Sequence, residues 1–334
     1  MRFFGPRDID IQCPRCLKRI RVPSNANNLA CKECNFFIPS AYIRDFKQTP
    51  PVFVQLFGLT ASGKTTFLDM LRLYLYDMDQ AWRAFYTQPI TELDREHQRV
   101  LLNERAQGIM PGATAKRDRD QNEVYIMLLK NMPRWGSRFL VLMDHAGEQF
   151  DRLNIDVKEI PFLQHTPVTI MLLSLPDLIR ENGRVNDLIT SYISSLESYG
   201  VNFQKERRQL IIVFSKADLI DNLPLELRDY LSRDALYMTL RNPPPGFGLN
   251  EAYMNDYLKW MAYMSCATEE WVKGNVRGGQ AMVNMLKDKR IATQYTVMSA
   301  TGHSLLGGNQ LTPLPRRVLD PFFWVLELYK QNGL

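Results

Sequence analysis

What this chain of 334 residues lacks narrows its class first. No apolar run approaches the ~20 residues of a membrane-crossing helix, which excludes a helical membrane protein. The amino terminus, MRFFGPRDID, carries acids early and has no long apolar core, so it does not read as a secretory signal. The expected compartment is the cytoplasm. No internal repeat or low-complexity segment stands out. Beyond residue 34 there is a single cysteine, Cys266, read here as a small buried apolar residue rather than a nucleophile. Beyond residue 50 there is no net charge. The whole excess of +5 sits in the first fifty residues, where nine Lys and Arg face four Asp and Glu. The hydrophobic share of 45% is that of a globular protein, and the length suits one large or two ordinary domains.

The other four cysteines form two pairs, Cys13-Pro-Arg-Cys16 and Cys31-Lys-Glu-Cys34. Each pair offers two thiolates from one tight turn, and two such turns facing each other make the tetrahedron of a four-cysteine zinc site. Two disulfides are the competing arrangement, which a cytosolic chain poor in cysteine disfavours. A module this small cannot build a sufficient core, so Zn²⁺ is expected to hold residues 1–48 together as a zinc ribbon. Arg15, Lys18, Arg19 and Arg21 leave two openings, a contact with nucleic acid or a solvated face on a protein-docking module. The ribbon has neither a run of like charge nor a clear aromatic stacking platform, which favours the second.

The proline-bearing stretch DFKQTPP, residues 45–51, reads as the boundary to a second domain over 49–334. That domain opens on PVFVQLF followed by GLTASGKTT, residues 58–66. The spacing Gly58-xxxx-Gly63-Lys64-Thr65 is the P-loop pattern, set between a buried strand and an apolar helix. Backbone N–H groups and the positive helix end cradle a polyphosphate there. Lys64 is placed to reach the β- and γ-phosphates and Thr65 to bind Mg²⁺.

Further along, a polar and mostly helical stretch is expected to about Arg105, then a loop over 108–120. Two strands, 121–130 and 139–143, suggest a hairpin. The second ends in Asp144-His145-Ala146-Gly147, and an acid at the carboxyl end of a buried strand sits where Mg²⁺ lies in a P-loop fold. Strands at 168–173 and 209–214 come next, the latter running into Ser215-Lys216-Ala217-Asp218. A last strand closes at Ser299-Ala300, and a helix spans roughly 318–330. Strands alternating with helices predict an α/β fold with a mostly parallel sheet. The span from about 222 to 292 is a helical insertion. Its Tyr253, Tyr257, Trp260, Met261 and Met264 recur at helical spacing and are expected to pack on the domain body. The insertion can serve as a lid or a partner surface.

In this order the four pieces resemble the translation-factor-related class of GTPases. GLTASGKT is similar to their first motif, DHAG to the third, SKAD to the fourth and SA to the fifth. The resemblance covers roughly residues 51–331. A zinc ribbon before such a domain is most similar to the double-GTPase families of prokaryotic conflict and signalling systems. The resemblance implies GTP/GDP and Mg²⁺ as ligands, with Ala61, Ser62, Gly63, Lys64, Thr65 and Thr66 around the phosphates. It implies that Asp218 accepts from guanine N1–H and N2–H₂, that the stem of Lys216 lies along base and ribose, and that Ser299 and Ala300 approach O6. Ser215 stands where the pattern has Asn or Thr, and its hydroxyl can tie this loop to the P-loop. Thr114 in the loop before the hairpin fits the second motif, binding Mg²⁺ only when the γ-phosphate is present. Thr91 is the poorer alternative because it begins a helix.

For catalysis the resemblance implies Lys64, Thr114, Gly147 and the residue after it. That residue is Glu148, where small GTPases have glutamine, and Gln149 comes directly after. A carboxylate beside a phosphate is repelled, yet acts as a base if its pKa is raised. His145 reads as structural, and Arg117 and Arg119 as a solvated face rather than an arginine finger. The expected activity is slow GTP hydrolysis, accelerated by a protein effector or activator. Two other functions stay open, a nucleic-acid-binding zinc ribbon gated by an NTPase domain and a GTP-binding scaffold that does not hydrolyse.

Overall fold

The structure is a computed structural model that describes residues 8–27, 29–58, 61–109, 124–144, 160–180, 185–302 and 314–331. At its centre is β5 (Pro51–Gly58), the run PVFVQLFG, buried along nearly its whole length. Alternation sends Val52, Val54 and Leu56 to one face and Phe53 and Phe57 to the other. A strand apolar on both faces belongs in the middle of a covered sheet. β5 pairs in parallel with β8 (Gly136–Asp144) and with β9 (Val168–Ser174). Beyond β9 lie β10 (Gln209–Ser215) and β11 (Ala292–Val297), both parallel. Beyond β8 lie β7 (Val124–Met132), antiparallel to β8, and β6 (Tyr86–Pro89), antiparallel to β7, giving seven strands in the order β11-β10-β9-β5-β8-β7-β6. The mostly parallel α/β sheet expected from the sequence is present, and β7 and β8 form the expected hairpin.

Strand β6 corrects one expectation. The stretch to Arg105 is not continuously helical. The helix α2 (Lys64–Ala81) stops at Trp82, whose ring stacks on Phe85 at 5.5 Å. The four residues of β6 then pair with β7, and α3 (Glu92–Ala106) begins. Four residues are too few to register as a strand by period. Thr91 caps α3 by accepting from Asp94 N–H at 3.0 Å. The Asp94 carboxylate takes the buried Arg72 of α2 at 2.9 Å and Ile126 N–H of β7 at 3.0 Å, which fixes α3 to both.

One face of the sheet is covered by α2 and by α11 (Leu319–Gln331), whose Phe322, Phe323 and Val325 join Val52, Val54 and Leu56 in one core. The Tyr329 hydroxyl of α11 accepts from Phe53 N–H at 2.8 Å and donates to Phe53 C=O at 2.6 Å. On the other face, the short helices α4 (Ile160–His165) and α5 (Leu175–Arg180) join α6 (Val185–Ser198) and α10 (Gly279–Asp288) over the β9–β11 half. The β7–β8 half is covered by the amino-terminal module.

That module comprises β1 (Asp8–Gln12), β2 (Arg19–Pro23), β3 (Leu29–Ala30), β4 (Phe37–Ile38) and the short helix α1 (Ser40–Asp45). It is not a tethered appendage. Its Ile11, Ile38, Tyr42 and Ile43 share one core with Phe53, Ile126, Phe139 and Val141 of the sheet. The rings of Tyr42 and Phe139 lie 4.9 Å apart, and the Tyr42 hydroxyl donates to Gln12 C=O.

The insertion contains α7 (Leu225–Ser232), α8 (Ala235–Arg241), the 25-residue α9 (Glu251–Asn275) and α10. Helix α9 runs along β11 at the sheet edge, and its Ser265 hydroxyl accepts from Tyr295 N–H at 2.8 Å. A helix laid over an open edge protects it from pairing with another chain. Met254, Leu258, Met261 and Met264 face inward, whereas Trp260 is 47% exposed and Tyr263 54%. The expectation that the whole stripe packs inward therefore holds for the methionines and in part for Tyr257, and fails for Tyr253, which is 39% exposed, and for Trp260. Cys266 is exposed on the same helix, not buried. Among the described residues no helix is long and apolar enough to cross a membrane.

Candidate functional site

Five parallel strands deliver their carboxyl ends to one rim of the sheet, and the sequence motifs ride on those ends. Gly58 ends β5. A Cβ there would meet Ser62 Oγ at 2.6 Å and Leu172 C=O at 2.7 Å, so only glycine lets the loop turn this tightly. Leu59 and Thr60 lie outside the described residues. Ala61 and Gly63 have left-handed backbones, φ 61° and 88°, and Gly63 caps α2. These turns bring the chain into the helix with its first N–H groups directed outward from the helix start. Lys64 is the first residue of α2, and its Nζ donates to Gly58 C=O, folding the side chain over the loop. Ser62 is buried, Thr65 exposed and Thr66 half-buried.

Asp144 is the last residue of β8, in register with Leu56 two residues before Gly58. It therefore stands beside the start of the loop and α2. Thr114, Gly147 and Glu148 lie outside the described residues, as do His145, Gln149, Arg117 and Arg119.

On the other side of β5, Ser215 ends β10. Its buried hydroxyl lies 2.7 Å from Ser62 C=O and donates to it, a bond between residues 153 apart in sequence. Lys216 adopts a left-handed backbone, φ 55°, costly for a side-chain-bearing residue and held in place by the backbone bonds around it. Ala217 N–H donates to Met298 C=O at 3.1 Å and Met298 N–H to Phe214 C=O at 2.9 Å, so the loop after β10 is sewn to the loop after β11. Asp218 lies in the short 3₁₀ turn Ala217–Leu219, partly exposed at the rim.

The loop after β11 has a brace that sequence reasoning missed. Ser299 and Arg316 exchange both backbone hydrogen bonds, at 3.1 and 2.7 Å. The Ser299 hydroxyl accepts from Gly302 N–H at 2.9 Å. A Cβ on Gly302 would fall on the Leu314 carbonyl. Arg317, next in line, is buried, and donates to Tyr230 C=O at 2.8 Å and Arg233 C=O at 2.7 Å. Ser299 and Ala300 are thus held by the segment entering α11 and by the insertion behind it. The only signal in the sequence is the proline-spaced LTPLPRR, residues 311–317, which marks an extended approach without saying where it docks.

The rim thus brings Ala61 to Thr66, Asp144, Ser215 to Asp218 and Ser299 to Ala300 together. It joins a glycine-shaped loop at a helix start, a carboxylate beside it and a second loop tied to the first. Such an arrangement can hold a polyphosphate with a divalent cation and read a base at its far end.

The four cysteines lie in the amino-terminal module. Their Sγ atoms all fall within 4.8 Å of one another, with Cys13 and Cys34 3.7 Å apart and Cys16 and Cys31 3.8 Å apart. A tetrahedral ion with Zn–S near 2.3 Å sets its ligands about 3.8 Å apart. The cluster fits that ion. Hydrogen bonding from Cys13 holds Cys16 down to about 5, while the same bond drives Cys13 well above the ordinary thiol range. Of the basic residues nearby, Lys18 pairs with Glu33 at 2.5 Å and Arg21 with Asp8 at 3.3 Å.

Fold and rim together define a P-loop GTPase. The family model for Double-GTPase 2 matches residues 52–242, more than half of the chain, and the chain belongs to that family. It is accordingly a GTP-binding protein. Among solved structures it is similar to a chain of the signal recognition particle receptor SRb–GTP/SRX complex from Chaetomium thermophilum. Identity is 14%, with 84% of this chain and 99% of that chain covered at a TM-score of 0.40. No curated protein matches the chain.

Proposed function

We propose that the chain is a GTP-hydrolysing regulatory switch with a zinc-bound ribbon as its interaction module. The observation that carries this reading is the Ser215–Ser62 bond. It joins the loop proposed to read the base to the loop proposed to hold the phosphates, which supports a single ligand spanning both. In this reading Ala61, Ser62, Gly63, Lys64, Thr65 and Thr66 surround the phosphates. Thr65, Asp144 and Thr114 hold Mg²⁺, and Thr114 senses the γ-phosphate. Asp218 accepts from guanine N1–H and N2–H₂, Lys216 lies along the base, and Ser299 and Ala300 approach O6. Adenine offers no such pair of donors, and a carboxylate left without them disfavours ATP.

Mg²⁺ would neutralise charge on the phosphates, and Lys64 would stabilise the leaving oxygens. Glu148, after Gly147, is the proposed water-positioning residue. Hydrolysis is slow alone and accelerated by a protein partner. Cys13, Cys16, Cys31 and Cys34 hold Zn²⁺. The domain division proposed is a ribbon over 1–48 and a GTPase domain over 49–334 with its helical insertion at about 222–292. The ion pairs at Lys18 and Arg21 support a protein-docking ribbon over a nucleic-acid reader.

The test is a calorimetric titration of the Mg²⁺-loaded protein with GTP, GDP and ATP, then single-turnover hydrolysis. Guanine nucleotides alone should bind, and GTP should turn over slowly. ATP binding as tightly as GTP would end the guanine reading, and bound GTP that stays intact would leave a scaffold.

A further inference from the structure

Between the loop after β11 and the helical insertion runs a short segment, residues 314–317, that is tied down at every residue. Leu314 N–H donates to Thr301 C=O at 3.0 Å. Pro315 C=O accepts from the Tyr74 hydroxyl at 2.9 Å, and Tyr74 belongs to α2, the helix that begins at the phosphate loop. Arg316 exchanges both backbone bonds with Ser299. Arg317 reaches into the insertion.

No step proposed for GTP binding or hydrolysis uses Arg317. It is 4% exposed and has a left-handed backbone, φ 58°, which is costly for arginine and persists only where the surroundings enforce it. Its guanidinium lies 3.7 Å from the centre of the Tyr230 ring and donates to the carbonyls of Tyr230 and Arg233, at the carboxyl end of α7. Its own N–H donates to Asp234 Oδ2 at 2.7 Å, while Asp234 Oδ1 caps α8 by accepting from Tyr237 N–H at 3.1 Å. Beside it the buried Asp320 accepts from the hydroxyls of Tyr230 in α7 and Tyr257 in α9. A buried guanidinium needs its donors met and its charge balanced. The carbonyls of α7 meet the first need, and Asp320 and Asp234 the second.

We infer that Arg317 is a positioning residue for guanine, fixing the loop at Ser299 and Ala300 from the helical insertion. The inference rests on the reading that places Ser299 and Ala300 at guanine O6. An arginine needed only for packing could sit anywhere along α11. This one directly follows Arg316, whose N–H and C=O are both committed to Ser299. A shift at Arg317 therefore passes into the base loop, and hydrogen bonds weaken steeply once distance and angle are lost. Lysine keeps the charge but has no planar fork with which to serve both carbonyls of α7.

The test uses the full chain with Mg²⁺ and two nucleotides, GTP and 2-aminopurine riboside triphosphate. The analogue keeps the 2-amino group and lacks O6 and the N1 proton. Wild type should prefer GTP. Arg317→Lys should weaken GTP about tenfold and leave the analogue unchanged, because the phosphate loop is untouched. Asp234→Ser keeps an oxygen to cap α8 but withdraws the acceptor from Arg317 N–H, and should act in the same direction. It carries the test if Arg317→Lys does not melt cooperatively. Lys259→Ala, which removes an exposed cation of α9, should change neither affinity. If wild type prefers GTP and the variants weaken both nucleotides equally, or neither, Arg317 is structural only and the inference is overturned while the base reading stands. If wild type shows no preference, the base reading falls and this inference falls with it.

Discussion

The hydroxyl of Ser215 donates to the carbonyl of Ser62 across 2.7 Å, and both residues are buried. Through this one bond the loop after β10 positions the loop after β5. Serine here is a departure from the Asn or Thr of the resembling GTPases, yet it keeps an O–H to give.

Removing that donor leaves a buried carbonyl unmet, which costs on the order of 1–3 kcal/mol. Ser215→Ala should therefore weaken GTP binding about tenfold, measured by calorimetry, while Ser215→Thr retains it. Equal loss in both variants would mean that shape, not the hydroxyl, matters at this position.

The cysteine cluster predicts one zinc per chain by elemental analysis. Because the ribbon shares its core with Phe53, Phe139 and Val141, losing the metal should affect the sheet as well. Cys16→Ser should abolish zinc and destabilise the whole chain by on the order of 5 kcal/mol, seen as one cooperative shift in melting. A variant that loses zinc with unchanged melting would show that the shared core holds the module without the ion.

Asp320 of α11 is fully buried, accepting from the Tyr257 hydroxyl at 2.6 Å and from Tyr230. Burial pushes its carboxyl up to about 6, from an ordinary 3.8, against the opposing pull of nearby Arg317. Between those values the folded chain binds more protons than the unfolded chain. Its contribution is present in full below about pH 4 and is lost as pH rises through about 6. Denaturant titrations of wild type and Asp320→Asn should converge or cross over this window, by at most about 3 kcal/mol. A difference that does not change with pH would rule this group out.

Much of the nucleotide rim is legible in the sequence because its pieces are local. Gly58 to Thr66, Asp144 and Ser215 to Asp218 each sit within a few residues of a strand end, and apolar runs mark those strands. The features that were not legible depend on distant partners. Tyr42 reads as one aromatic among several until it meets Phe139, 97 positions later. The brace on Ser299 comes from Arg316 across a loop, and no local pattern announces it. Helix α9 is apolar on more than one side, so period alone cannot say that Met261 turns inward while Trp260 and Cys266 face out. Strand β6 is simply too short to carry a period.

The central claim is that Asp218 reads guanine, and exchanging its hydrogen-bonding character tests it most directly. Xanthine carries a carbonyl where guanine carries its 2-amino group. Asp218→Asn supplies an N–H to that carbonyl and still accepts from N1–H. Titrating both proteins with Mg²⁺ and GTP, ATP or XTP should show wild type selecting GTP. The variant should lose GTP by about a hundredfold or more and gain XTP. If the variant keeps its GTP affinity, or wild type binds ATP equally well, Asp218 does not read the base.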